Sequence, residues 1–600
     1  MSEINSPKKP KHRNNLFPEA IKPYSDYNSH KPKPNSHSNL NGKANGNANA
    51  NGKTGQSSDS KLSSSSLSSS VNTRNSQKIK DFIEQLYQLK PDQTILGDKA
   101  NQLEFTNADP PNGLITKTYL KSLASIPQAW VEEVKSKHSL AVSFINTEVL
   151  ADSQKDEEPE SASSKHGAVI IGGAENDYTW LALISTRLFR KAGGVLPIEV
   201  MLPTKEDYLK DREICDLYLP QLNAKCVIIK DLLDASTATN AELDDDLNKY
   251  IWNNFTLIKR ELAILLSRFE NVLFLSPENV MLKPMEYAIF DKQFYKDFGL
   301  FVWGDYGART TLPAFYEIAD LEVKNAKTSV YGLPLTEELI SKSAKLTSEE
   351  LSDGVNFHDL ENSLPYKQSD ASELIIDKKQ HLGTLLLSLY YNLNGPDAYY
   401  VLLTGRFDGA HGAKETILAA AHVLSKQYYL INSEVESNGY WYDDEFKGVS
   451  MMQFDPIVDY YSYEAFIDKF SRKEGYEVSY NKYQRWLKES SERRSPLFLN
   501  INNPPLKPIE LIQQGTVVKE NGDRVRLIAD TSYFDAEFET DIWRVMNDYI
   551  CHLSLECSYV KTWFGKGNSK KRDAFCKGDI KEHLLWVSSL GSTADADLDV

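Results

Sequence analysis

The residues able to do chemistry gather where short apolar runs end. Gly167-Ala168-Val169-Ile170-Ile171 stops at Gly172-Gly173. Glycines there let backbone come close to a phosphate or a nucleotide base. The spacing is not G-x-G-x-x-G, so the dinucleotide fingerprint is missing, and a tight turn is the plainer use of the pair. Asn271-Val272-Leu273-Phe274-Leu275 runs into Ser276-Pro277-Glu278-Asn279. Leu300-Phe301-Val302-Trp303 runs into Gly304-Asp305, with Arg309 four positions on. An acid just past a buried strand, followed by an arginine, suits a hydroxyl-rich ligand or a metal ion. The same pair can equally serve as a turn clamp.

These ends need elements behind them. The run 167–171 is apolar, mostly β-branched and bounded by glycine, which predicts a buried strand. Trp180, Leu181, Leu183, Ile184, Leu188 and Phe189 recur at helical spacing up to Gly193-Gly194, and Ile198–Pro203 is the next strand. Strand, helix and strand within forty residues make a βαβ unit. Further strands are predicted at 226–229, 271–275 and 300–303, with a helix over about 255–268. Repeated β and α elements predict an α/β fold with an open, mostly parallel Rossmann-like sheet and flanking helices. Ligands of such sheets lie beyond the carboxyl ends of the strands.

Charge is unevenly spread. The chain has 600 residues and a net charge of −16, yet its first 80 residues carry 13 Lys/Arg against 4 Asp/Glu, leaving −25 for the rest. So acidic a body is a poor surface for nucleic acid, which needs basic patches. Residues 1–78, rich in Asn, Ser, Lys and Gly, are expected to form a disordered basic tail. Ile79, Phe82, Ile83, Leu86 and Leu89 predict a docking helix, which opens a stem over 79–165 with a polar break near 152–165. The large domain is expected over 166–600. No window of about 18 apolar residues marks a membrane span, and no apolar stretch marks a signal peptide. Five cysteines fall into two groups, Cys215/Cys226 and Cys551/Cys557/Cys576. They allow two disulfides and a free thiol, or five thiols. Asn254-Phe255-Thr256 is the only glycosylation sequon.

Several blocks, in order, resemble the fungal Golgi α-mannosyltransferases that branch N-glycan mannan, the α-1,2 group above all. Gly172–Pro203 and Lys259–Leu275 carry the first part of the resemblance. Trp303-Gly304-Asp305 with Arg309-Thr310-Thr311-Leu312-Pro313 is similar to the family's W-P-D…R-T-T-x-P. Ile376-Asp377-Lys378-Lys379-Gln380-His381 is similar to I-N-K-K-x-H. Lys414-Glu415-Thr416 with Ala419–His422 resembles G-D-K-E-T…A-A-H, and Pro496-Leu497-Phe498 sits where the family has P-L-F-x-H. The resemblance implies a GT-A-type glycosyltransferase that takes GDP-mannose as donor and a mannose-containing glycan as acceptor. It further implies Mn²⁺ at an Asp-x-Asp and residence in the Golgi apparatus, with the cytoplasm as the alternative for a chain lacking a visible anchor. It implies Asp305 and Arg309 as catalytic residues, Gly172, Gly173, Lys259 and Lys414 as donor-binding residues, and Glu278 as metal ligand.

The departures fall at polar loop positions. Ser276-Pro277-Glu278-Asn279 stands where the family has Asp-x-Asp-Asn, so cation affinity is expected to fall. Ala413 replaces the aspartate of G-D-K, and Asn500 replaces the histidine of P-L-F-x-H. His411 is a further candidate cation ligand. Tyr390, Tyr391, Tyr399 and Tyr400 could stack on sugars or pack in the core. Two functional readings follow: an active mannosyltransferase, or a catalytically silent relative that binds other mannosyltransferases as a scaffold.

Overall fold

The computed structural model describes residues 64–593, apart from 93–109, 154–164, 235–240, 286, 343–344, 407–408, 471–477, 530–532, 535 and 566–568. The strands used here are β1 (His166–Ile171), β2 (Ile198–Leu202), β3 (Ala224–Ile228), β4 (Asn271–Leu275), β5 (Asn279–Met281) and β6 (Leu300–Ala308). A short hairpin, β7 (Ser329–Val330) and β8 (Leu333–Pro334), precedes β9 (Lys367–Asp377). Then come β10 (Tyr429–Leu430), β11 (Glu436–Tyr442), β12 (Glu445–Phe454) and β13 (Pro496–Ile501).

Seven strands form the main sheet in the order β10-β6-β9-β4-β1-β2-β3. The pairs β1/β2, β1/β4, β2/β3 and β10/β6 are parallel, as expected from the βαβ reading. One strand departs from it. β9 runs antiparallel to both β4 and β6, pairing Leu275 with Glu373 and Val302 with Leu374. Its first half, Lys367-Gln368-Ser369-Asp370-Ala371-Ser372-Glu373, is polar and carries no strand signature. A second sheet is antiparallel throughout, in the order β11-β12-β13-β5.

Both faces of the main sheet are covered, which is why its strands read as unbroken apolar runs. Period-two alternation sends Ala168, Ile170, Leu273, Leu275, Phe301 and Trp303 to one core. Val169, Ile171, Val272, Phe274, Leu300 and Val302 go to the other. The helices named here are α1 (Ser64–Gln88), α2 (Lys117–Leu123), α3 (Gln128–Ser153), α4 (Tyr178–Lys191), α5 (Phe255–Leu266), α6 (Leu382–Leu393), α7 (Gly409–Val423), α8 (Ala536–Asn547) and α9 (Asp579–Thr593). The first core is closed by α4, α8 and the second sheet. The second is closed by α1, α3, α5, α6 and α7.

Ile79, Phe82, Ile83 and Leu86 of α1 are buried in that second core, at the helical spacing read from sequence. The helix begins at Ser64, upstream of the boundary expected near residue 78. The rest of the expected tail, residues 1–63, lies outside the described residues, as do residues 154–164 of the expected polar break. No helix among the described residues is long and apolar enough to cross a membrane.

The cysteine alternatives resolve into two disulfides, Cys215–Cys226 and Cys551–Cys576, and a buried free thiol at Cys557. Cys226 lies on β3, the edge strand of the main sheet, so its disulfide ties that edge to the segment before it. Cys226→Ser is expected to cost roughly 2–4 kcal/mol. A lowered melting temperature, with faster amide exchange confined first to β3, is the measurement that checks it.

Candidate active site

A cavity of about 190 Å³ opens at the carboxyl ends of β1 and β4, floored by Ile171 and Phe274. Its wall carries Lys259 and Arg260 from α5, Lys414 from α7, Tyr178 from the start of α4, and Ser276, Pro277 and Glu278 from the turn after β4. The helix α5 buries Ile258, Leu262 and Leu265 in the core, which leaves Lys259 and Arg260 at the cavity. Arg260 is held in place by Glu261 at 2.5 Å, by the Ala413 carbonyl at 3.2 Å and by Thr416 Oγ1 at 3.1 Å. These bonds fix α5 to α7 across the cavity.

The glycine pair after β1 shapes this wall through packing. A Cβ at Gly172 would lie 2.6 Å from Leu202, and Gly173 has φ +135°, a conformation L side chains rarely adopt. Their amides are already used. Gly172 N–H donates to the Met201 carbonyl at 2.9 Å, and Gly173 N–H donates to Thr179 Oγ1 at 3.0 Å. Ala174 N–H donates to Asp207 at 3.1 Å. The turn therefore seats Tyr178 beside the cavity and leaves neither glycine amide free for a phosphate.

Asp305 and Arg309 follow β6 as expected, but the structure gives them different tasks. Asp305 accepts a hydrogen bond from Lys414 Nζ at 2.9 Å. Burial works against the Lys414 charge, yet Asp370 and Asp305 outweigh it and hold the ammonium above its ordinary range. Arg309 is fully buried and does not line the cavity. Its guanidinium pairs with the buried Glu415 and donates to the Pro365 carbonyl at 2.7 Å, the Lys367 carbonyl at 2.9 Å and Ser369 Oγ at 3.2 Å. Glu415 also accepts from Ser369 N–H at 3.0 Å. Arg309 is thus a positioning residue. It locks the end of β6 and the start of β9 onto α7, and so places Lys414 beside Asp305.

Lys259 is half-buried, and its ammonium has no hydrogen-bond or ion-pair partner among the described residues. It lies 4.6 Å from the centre of the Tyr178 ring. Burial lowers its pKa, opposed by the nearby charges of Glu278 and Glu175.

The family model described as “Mannosyltransferase putative” matches residues 165–455. The chain is 30% identical over 520 residues to the alpha-1,2-mannosyltransferase MNN21 of Candida albicans, covering 85% of this chain and 74% of that one. It is 34% identical to MNN22 of the same yeast, over 70% and 72% of the two chains. It is 28% identical to MNN2 of Saccharomyces cerevisiae, over 73% and 72%. The chain belongs to this mannosyltransferase family. A solved bifunctional glycosyltransferase, WbbM in its apo form, aligns with a TM-score of 0.24 and 13% identity over 45% of this chain and 40% of that one, too distant to bear on the fold.

In this mannosyltransferase the donor set does not fit the Mn²⁺ expected from the resemblance. No group of three His, Cys, Asp or Glu side chains among the described residues is placed to hold a metal ion. Among the described residues the one carboxylate on the cavity wall is Glu278, and burial raises its pKa against the pull of a Ser276 hydrogen bond, Lys259 and Lys507. Ser276 is neutral, and Ala371 and Ala413 offer no side-chain oxygen. Asp370 is engaged by Ser372 N–H at 3.1 Å, Ser372 Oγ at 2.9 Å and Gln453 Nε2 at 3.1 Å. The side chain of His411 lies outside the described residues.

Behind the turn sits a buried polar group that sequence reading missed. Asn279 and Asn500 face each other across β5 and β13. Asn279 Oδ1, Asn500 Oδ1 and Glu373 Oε1 are all buried and accept no hydrogen bond among the described residues. Burial, with Asp370 nearby, pushes the Glu373 carboxyl well above its ordinary range. No strand or helix pattern could reveal this group, because it forms only where two sheets meet. The four tyrosines are core: Tyr390, Tyr391, Tyr399 and Tyr400 are buried, and the Tyr391 and Tyr399 rings lie 4.5 Å apart.

Arg309→Met strands Glu415 as an unpaired buried charge and is expected to cost about 3–5 kcal/mol, read by chemical denaturation. For Glu373 the raised folded pKa means that the folded state holds its proton more tightly than the unfolded chain. That contribution is complete below the ordinary carboxyl value near 4.5 and fades as pH climbs toward the raised one. Glu373→Gln keeps a neutral donor, so its melting temperature should fall less than that of the native chain between pH 5 and pH 8, a window of roughly three units.

Proposed function

We propose that the chain transfers mannose from GDP-mannose to a mannose-containing glycan, forming α-1,2 links on mannan branches of N-glycans. The observation that carries this reading is the cation-lined cavity at the carboxyl ends of β1 and β4, the place where α/β sheets bind ligands. Relatives named alpha-1,2-mannosyltransferases, matched over most of the chain, support the linkage. The reaction keeps the α configuration of the GDP-mannose donor in its α-1,2 product. The bond from the anomeric carbon to the diphosphate oxygen breaks, the acceptor oxygen bonds to that carbon on the same face, the acceptor's proton passes to the departing phosphate oxygen, and negative charge gathers on GDP. Lys259 and Lys414 face that developing charge, and fixed positive groups in a sparsely hydrated site stabilise it strongly. Asp305 holds Lys414 in place, while Tyr178, Ile171 and Phe274 give the cavity apolar walls.

Two disulfides suit an oxidising compartment, which favours the lumen of the Golgi apparatus over the cytoplasm. The Ser276-Pro277-Glu278 turn favours a second reading, a silent relative that binds other mannosyltransferases. Incubating the purified full chain with GDP-mannose and an α-mannose oligomer separates the two. GDP release and a product trimmed by an α-1,2-specific mannosidase are expected. Nucleotide-sugar binding without any release of GDP would establish the silent reading instead.

A further inference from the structure

We propose that the cavity grips the donor's diphosphate with lysine ammonium groups in place of a divalent cation, so that nucleotide-sugar binding requires no metal. This rests on the transferase reading above and concerns the same cavity. The first argument is an unmet demand. Lys259 is half-buried against the Tyr178 ring, with no hydrogen-bond or ion-pair partner among the described residues. A partly desolvated ammonium backed only by a ring face leaves its N–H donors unmet among the described residues, and an anion in the cavity satisfies them. The second is spare capacity. Lys414 gives one N–H to Asp305 and keeps two more for a ligand. The third is charge. Among the described lining residues Lys259, Arg260 and Lys414 stand against one acid, Glu278; Arg260 and Lys414 are already paired with Glu261 and Asp305, so Lys259 is the cation with charge to spare, and a dication placed beside it would be repelled. A diphosphate would instead meet the sign it needs. The fourth is the missing oxygen set: Ser276, Ala371 and Ala413 occupy the wall where hard carboxylate ligands would be required. The cavity, about 190 Å³, is smaller than the roughly 300–1,000 Å³ of complete ligand pockets, a size suited to the charged middle of the donor rather than all of it.

The test is calorimetric titration of GDP, GMP and GDP-mannose into the full chain, once in EDTA and once in Mn²⁺. The expected result is a GDP dissociation constant that agrees within about threefold between the two conditions. GMP should bind at least about tenfold more weakly than GDP, because the second phosphate makes the contact. Lys259→Met should weaken GDP at least about tenfold, and Lys259→Arg should restore most of the loss. Unchanged melting temperatures show that both variants are folded. GDP binding that appears only with Mn²⁺ overturns the lysine grip and leaves the transferase reading intact. Failure of both GDP and GDP-mannose to bind in either condition overturns the transferase reading as well.

Discussion

The buried ion pair of Arg309 with Glu415 is the constraint on which the site depends. Neither residue touches the cavity. Together they fasten three parts of the chain that are distant in sequence: the end of β6, the start of β9 and the helix α7. Lys414 precedes Glu415 in the chain, so the pair dictates where its ammonium can reach. A buried ion pair of this kind adds little net stability compared with a well-packed apolar pair, since desolvation offsets most of its attraction. Its value lies in position. It sets the geometry of a cationic wall that a flexible surface lysine could not hold.

That wall changes how the turn after β4 should be understood. Ser276, Pro277 and Glu278 look like a damaged metal motif when set beside the family's Asp-x-Asp. Beside Lys259, Arg260 and Lys414 they look consistent with the rest of the cavity. Acidic pairs would neutralise the lysines, and a neutral serine does not. Losses at Ser276 and Ala413 are therefore coherent: each removes a carboxylate from a cavity whose remaining charges are mostly positive. Behind the turn, burial works in the same direction, since it disfavours a negative charge on Glu373.

Much of the frame was legible in the sequence. The runs 167–171, 198–202, 226–228, 271–275 and 300–303 are strands because they are apolar, branched and stopped by turn residues. α4 and α5 follow from helical spacing, and α1 from Ile79, Phe82, Ile83 and Leu86. β9 was not legible, because a strand stabilised by polar contacts to Glu415, Gln453 and Arg309 shows no alternation. Within the site, Lys259, Lys414 and Glu278 come to one cavity, and Asp305 joins them through Lys414. Gly172 and Gly173 instead spend their amides on the Met201 carbonyl of β2 and on Thr179 Oγ1. Arg309 supports from behind, a distinction that residue type and spacing do not carry. Tyr178 and Arg260 went unnoticed because each looks like an ordinary helix residue until α7 is folded against them.

The antiparallel strand β9 has a consequence for how the chain is made. β1, β2, β3 and β4 are synthesised between residues 166 and 275 and can pair as a parallel block. The strand that must cover β4 ends at residue 377, about 100 residues after β4 itself. At ordinary elongation rates of roughly 5–20 residues per second, the β4 edge stays unpaired for several seconds. Such an edge is a template for wrong partners. The nascent polypeptide therefore carries an open sheet edge, which chaperones can shield, from the synthesis of the fourth strand until the ninth arrives, as it did on β1 until the fourth was made.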